Sequence, residues 1–240
     1  MTTCSGRQPS GAPVSDAKRY GVFGVSGSGK SAYVKAHVAN TERLVVFDPT
    51  DEYSRGGRGL RNVKRCTTVE QVREQMTAKW DVFRIAYVPP TGKEPRTLNA
   101  LCKLMMMGQE PFKDSGRGAK MTLVVDELNL AFPSTNGPTL CPGFADICAR
   151  GRHYGIELYG ITQRIREVHP RFRDNLSEAV SFTMGDADGR KAAASMVDVP
   201  VTEMNALEPL HFIARAGFTK RRGKLTFAIN RATAKVSYVT

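Results

Sequence analysis

Lys30 and Ser31 end the stretch Gly24-Val-Ser-Gly-Ser-Gly-Lys-Ser31, a loop of the form GxxxxGK[ST] whose residue types at this spacing serve polyphosphate binding. Gly24, Ser26, Gly27, Ser28 and Gly29 offer backbone N–H groups, and Gly27 and Gly29 can take the positive φ angles that bring the chain close to phosphate. Lys30 would neutralise the β- and γ-phosphates, and the Ser31 hydroxyl would sit on Mg²⁺. Such a loop needs an apolar strand before it and a helix after it, so that the positive end of the helix meets the anion. Tyr20-Gly-Val-Phe-Gly24 and Ser31-Ala-Tyr-Val-Lys-Ala-His-Val38 supply both. The expected ligands are ATP and Mg²⁺, with GTP left open.

Binding alone does not imply turnover, which needs a metal anchor and a group that orients water. Met121-Thr-Leu-Val-Val-Asp126-Glu127 reads as a buried parallel strand with acid at its C-terminal edge. Asp126 is expected to hold Mg²⁺ beside Ser31, and Glu127 to polarise the attacking water. Downstream, a helix predicted over 143–150 leads through Arg150-Gly-Arg152-His-Tyr-Gly155 into a strand, Ile156–Ile161, that ends in Thr162-Gln163-Arg164. An amide at that strand tip suits a sensor of the γ-phosphate or of the water. Arg150 or Arg152 suits reaching across a subunit boundary to stabilise charge in phosphoryl transfer. The plainer alternative is two surface arginines capping a helix C-terminus.

These blocks resemble the FtsK-HerA superfamily of hexameric DNA-pumping ATPases. The resemblance is carried by GVSGSGKS, by LVVFDPTDEYS at 44–54, by LVVDE at 123–127 and by GRHYGIELYGITQR at 151–164, together most of residues 20–165. It implies a RecA-like α/β fold, a mainly parallel sheet flanked by helices, with Gln163 at the sensor position and Arg152 in the segment that usually donates an arginine finger. Chromosome translocases of the superfamily carry membrane segments or long extra domains, and HerA-type motors an N-terminal barrel; neither is found in these 240 residues. A single ATPase domain of this size is similar to the genome-packaging ATPases of viruses with internal membranes and double jelly-roll capsids.

Length suits one large α/β domain over 19–240, preceded by a polar, flexible N-terminal tail over 1–18. No stretch approaches the roughly 18 apolar residues of a membrane span, and no signal-peptide layout opens the chain, so the expected location is the host cytoplasm; the resemblance implies virion association at a packaging vertex. Cys4, Cys66, Cys102, Cys141 and Cys148 are expected to be reduced thiols, and Cys141, Cys148 and His153 fit no usual zinc spacing.

The net charge of +12, from 35 basic and 23 acidic residues, gathers at Arg55–Arg65, Arg150–Arg173 and Arg215–Lys224. A ring of such subunits, expected to be a hexamer, could line a channel that holds double-stranded DNA by its phosphates without reading bases. Solvated faces are the competing explanation for any one cluster.

Further elements follow from pattern. A strand, Leu44–Asp48, leaves Asp48 and Glu52 near the nucleotide edge, Thr67 or Thr68 caps a helix to about Lys79, and 81–88 is a strand. Leu98–Met107 is helical, with Met105, Met106 and Met107 expected in the core. Gln109–Lys120 and Ala131–Pro142 read as loops, Ile165–Leu176 as a helix begun near Pro170, Glu178–Met184 as a strand and Asp188–Met196 as a helix. His211–Arg215 and Leu225–Ile229 read as late antiparallel strands joined by a basic turn, Thr219–Lys224, and the last ten residues as an edge strand or an arm onto a neighbour.

The expected activity is ATP hydrolysis coupled to DNA translocation, as in a viral genome-packaging motor with a capsid-vertex or membrane-protein partner. A plasmid-conjugation or chromosome-partition pump is an alternative in the same class. A small P-loop kinase and a membrane-anchored phage export ATPase are more distant ones, argued against by Glu127 with Gln163 and by the missing membrane helix respectively.

Overall fold

A computed structural model of the chain describes residues 17–55, 59–230 and 235–239, with side chains through Thr226. In chain order the first elements are β1 (Arg19–Phe23), α1 (Lys30–His37), β2 (Arg43–Phe47), β3 (Lys64–Cys66), α2 (Val69–Ala78), β4 (Phe83–Tyr87), α3 (Glu94–Gly108) and α4 (Glu110–Ser115). Then come β5 (Met121–Val125), α5 (Leu128–Ala131), α6 (Gly137–Leu140), α7 (Pro142–Arg150), β6 (Ile156–Thr162), α8 (Pro170–Arg173) and β7 (Glu178–Ser181). The chain closes with α9 (Ala187–Val197), α10 (Val201–Asn205), β8 (His211–Ala216), β9 (Thr219–Lys224), β10 (Thr226–Asn230) and β11 (Lys235–Val239).

Nine strands form one sheet in the order β3-β4-β2-β5-β6-β1-β7-β8-β9. All neighbours from β3 to β7 are parallel, and β8 and β9 are antiparallel. Strands β2 and β5 are buried at every position, as their unbroken apolar runs require of strands covered on both faces. Alternate side chains then sort into two cores. Val45, Phe47, Leu123, Val125 and Leu158 meet residues of α2, α3, α5, α7, α8, α9 and α10. Leu44, Val46, Val124, Tyr159 and Ile161 meet Tyr33, Val34 and Val38 around α1.

Gly160, in the middle of β6, has no room for a side chain: a Cβ there would lie 2.3 Å from Phe172 Cζ and 2.8 Å from Leu128 Cδ2. Phe172 is buried against Phe144 and has nowhere to go. Gly160→Ala is therefore expected to destabilise the fold by about 1–3 kcal/mol through overpacking, measured by urea unfolding.

Several expectations hold in detail. Thr68 is the cap of α2: its hydroxyl accepts from the Gln71 N–H at 3.2 Å while the Gln71 side chain accepts from the Thr68 N–H at 3.3 Å. Others need correction. Gln109–Lys120 is not all loop, because α4 occupies its first half with Phe112 buried. Ile165–Leu176 is not one helix. Its backbone turns instead to 132–134, through Ser134 N–H to the Glu167 carbonyl at 2.6 Å, His169 N–H to the Phe132 carbonyl at 3.2 Å and a bridge between Pro133 and Val168, leaving only α8 helical beyond a short 3₁₀ segment, Ile165–Glu167. Thr219–Lys224 is not a turn but the edge strand β9, the turn being Gly217-Phe218 with Gly217 at φ 57°. Its long cationic side chains guard an exposed sheet edge, which made the segment look like a loop. The methionine run divides as well, with Met105 and Met106 buried and Met107 exposed. Cys66, Cys102, Cys141 and Cys148 are free and buried; Cys4 and most of the N-terminal tail lie outside the described residues, as does Arg58. Among the described residues no helix is long and apolar enough to cross a membrane.

Candidate functional site

The loop leaves the buried end of β1 and turns through three glycines with positive φ, Gly24 at 153°, Gly27 at 75° and Gly29 at 113°. Close packing reinforces the geometry at two of them. A Cβ on Gly24 would meet Ser28 Oγ at 2.5 Å, and one on Gly29 would meet Leu225 Cδ1 at 2.6 Å. The loop is tied to the neighbouring strand by Val25 N–H to the Thr183 carbonyl at 2.9 Å. No side chain caps α1, which begins at Lys30, so its first N–H groups face the loop and suit an anion. Ser28 is buried and its hydroxyl has no partner. Lys30, also buried, folds back to donate to the Val25 carbonyl at 2.8 Å. Burial lowers its pKa, while Glu127, Asp126 and Glu52 pull the other way.

Across from Lys30 stand the acids. Asp126 is buried at the tip of β5, and its carboxyl is pushed up to about 7, by burial first and by Glu127 next, with Asp48 adding and Lys30 opposing. Negative charge concentrated in so dry a place suits a bound cation. Among the described residues no three His, Cys, Asp or Glu side chains form a metal cage. A Mg²⁺ site of the other kind, in which Asp126 and the Ser31 hydroxyl would be supplemented by phosphate oxygens and water, needs no such cage. The orphaned Ser28 hydroxyl and the crowded carboxylates fit that arrangement.

Glu127 takes a left-handed conformation, φ 44°, between β5 and α5. Gln163 Nε2 donates to its Oε1 at 2.6 Å. The two residues are 36 positions apart, and the strand order β5-β6-β1 is what brings the Gln163 tip between the Asp126 tip and the glycine loop. Just beyond Gln163 a cleft of about 560 Å³ opens, bordered by Val25, Arg164, Glu167, Asp186 and Asp188.

Asp48 lies at this edge as expected, fully buried, but its carboxylate is consumed in shaping the chain after β2. It accepts from the N–H groups of Tyr53 at 2.8 Å and Glu52 at 3.0 Å and from the Thr50 hydroxyl at 3.3 Å. That turn inserts Tyr53, the site residue that sequence reasoning missed. Tyr53 is wholly buried, with its hydroxyl toward the Ser31 side chain but in no hydrogen bond of good geometry. Burial pushes the hydroxyl well above its usual pKa, and the Asp126 and Asp48 carboxylates push the same way. The available signal was its place in the 44–54 block, a large aromatic directly after an acidic turn.

Arg150 and Arg152 are not brought to this cluster within the chain. They precede β6 and Gln163 follows it, so the seven residues of the strand separate them by about 20 Å. Arg150 is paired with Asp146 at 3.1 Å on its own helix. Arg152 makes no ion pair among the described residues and lies near Arg19.

About half of the described residues in the basic clusters are paired too. Arg55 and Arg65 share Asp51, Arg164 pairs with Glu167, Arg166 with Asp188, Lys220 with Asp198, Arg221 with Glu178 and Arg222 with Glu203.

No protein-family profile matches the chain. It is 24% identical to Protein P9 of Pseudoalteromonas phage PM2 over 188 residues, 78% of each chain. Its fold is similar to that of the genome packaging NTPase B204 from Sulfolobus turreted icosahedral virus 2 in complex with AMPPCP, with a TM-score of 0.67 at 16% identity, covering 87% of this chain and 97% of that one. It is similar also to VirB4 of Thermoanaerobacter pseudethanolicus, with a TM-score of 0.61 at 13% identity, covering 88% and 90%. The fold, a mostly parallel sheet with antiparallel late strands, is thus the one shared by the NTPase B204 and by VirB4, and the likeness extends over 87–88% of the chain.

Proposed function

We propose that the chain is an ATP-driven double-stranded DNA translocase, a viral genome-packaging motor that hydrolyses ATP at the subunit interfaces of a ring. The observation that carries the catalytic part is the convergence of Lys30, Asp126, Glu127 and Gln163 at adjacent strand tips, with Gln163 and Glu127 2.6 Å apart. Such a cluster handles water rather than an alcohol acceptor.

In this reading the N–H groups of Gly24–Gly29 and of the first turn of α1 hold the phosphates, and Lys30 leaves the Val25 carbonyl to reach them. Ser26 and Gly27 form the exposed lip of the loop. Ser31 and Asp126 are the residues that would hold Mg²⁺, which when bound neutralises charge on the β- and γ-phosphate oxygens. Glu127 accepts the proton of the attacking water, and Gln163, now on Glu127, exchanges that bond for the γ-phosphate or the water. Because Arg150 and Arg152 stand at the far end of β6, these two arginines would reach the γ-phosphate only from a neighbouring copy, and the cleft beyond Gln163 is an open approach.

A net charge of +12 supports duplex DNA held by phosphates. A hexameric ring, a capsid-vertex or membrane-protein partner, and a host-cytoplasmic and vertex-associated location belong to the same reading, which the likeness to P9 and B204 favours. The likeness to VirB4 keeps a conjugation-type DNA pump as the second reading.

The test is ATP hydrolysis by purified protein with and without duplex DNA, alongside native mass measurement. Stimulation by DNA of any sequence, declining steeply with salt, and activity confined to the ring are expected. Full-speed hydrolysis by a monomer indifferent to DNA would refute the motor.

A further inference from the structure

We infer that Tyr53 is a positioning residue of the metal–nucleotide site, its hydroxyl completing the hydrogen-bonded surroundings of the cation held by Ser31 and Asp126. The inference rests on the nucleotide-binding reading above and deepens it.

A buried hydroxyl without a partner is costly, and a phenylalanine would fill the same space without that cost. Tyr53 is nonetheless wholly buried with its hydroxyl orphaned. The surroundings aim it rather than tolerate it. Its N–H donates to Asp48 Oδ2 at 2.8 Å, and its carbonyl accepts from the Leu60 N–H at 2.9 Å. The Lys35 ammonium lies 4.6 Å from the centre of its ring and donates to the Glu52 carbonyl at 3.4 Å. Lys35 is one turn along α1 from Ser31, so the helix that carries Ser31 and the turn that carries Tyr53 are clamped together.

Three independent anchors therefore hold the residue with its hydroxyl toward Ser31, where a cation held by Ser31 and Asp126 would bring the missing partner. The neighbouring acid, Asp48, is already occupied by the turn and does not take the Tyr53 hydroxyl. Groups of this kind orient the direct ligands of a metal.

The test compares the parent with Tyr53→Phe, which keeps the ring and its contact with Lys35. Binding of a fluorescent ATP analogue is titrated in EDTA and over a series of Mg²⁺ concentrations, and thermal unfolding is followed without ligand. The expected result is unchanged affinity in EDTA and a Mg²⁺ requirement for tight binding raised about tenfold. The ligand-free melting temperature should be equal to the parent's or higher, because an unsatisfied hydroxyl has been removed. A Mg²⁺ dependence identical to the parent's would overturn the inference. So would a lowered ligand-free melting temperature or failure to fold, either of which marks the hydroxyl as a structural anchor. A parent that binds no nucleotide in either condition would instead bring down the underlying reading.

Discussion

Glu127→Gln is expected to cut ATP turnover by about a thousandfold while leaving nucleotide affinity nearly unchanged. The substitution keeps the length of the side chain, and an amide oxygen can still accept the Gln163 hydrogen bond now made at 2.6 Å. What disappears is the ability to take a proton from water. The left-handed backbone at Glu127 costs glutamine no more than glutamate, so the fold should be unaffected and the loss should fall on kcat alone. Single-turnover hydrolysis beside equilibrium binding of an ATP analogue separates the two. Turnover within roughly threefold of the parent would be too small for removal of a general base and would exclude Glu127 from that role.

Arg152→Ala is expected to lower turnover by about a thousandfold as well, but with a signature that Glu127 does not share. About 20 Å of strand separate Arg152 from Gln163 in one chain, so the arginine acts on a neighbour or not at all. Mixing Arg152→Ala with Lys30→Ala should therefore restore activity. An interface where the intact loop of the first variant meets the intact arginine of the second is complete, and equal amounts assembled at random form such interfaces about one time in four. Two variants defective within the same subunit's site would not rescue one another. Arg150→Ala serves as the comparison: its guanidinium is held by Asp146, and its loss should cost far less. A mixture as inactive as its components would remove the shared site from the proposed motor.

Both expectations bring together segments far apart in the chain, which is where sequence reading weakens. The glycine loop was legible because its determinants are contiguous: strand, turn and helix follow one another, and the positive φ angles at Gly27 and Gly29 are local properties of residues without a Cβ. The acids after β5 were legible for the same reason, an apolar run that stops at charge. Tyr53 was not, since nothing in Asp-Pro-Thr-Asp-Glu-Tyr says that Asp48 will turn inward and draw two N–H groups around it. Nor was the 165–169 segment, whose helical pattern lost to hydrogen bonds with 132–134. The basic stretch 219–224 misled in the opposite sense: charge resembling a solvated turn or a DNA contact is an edge strand whose cations at Lys220, Arg221 and Arg222 each meet an acid of the same chain.

By itself, then, the order of residues determined the phosphate loop, the paired acids and the class of fold, because each rests on preferences that act over a few neighbouring positions. Tertiary structure alone decided that Gln163 would lean on Glu127 and that Tyr53 would enter beside Ser31. Those outcomes depend on which strands become neighbours and in which direction they run. That is settled by burying two faces of one sheet at once, a condition no short window of the chain contains.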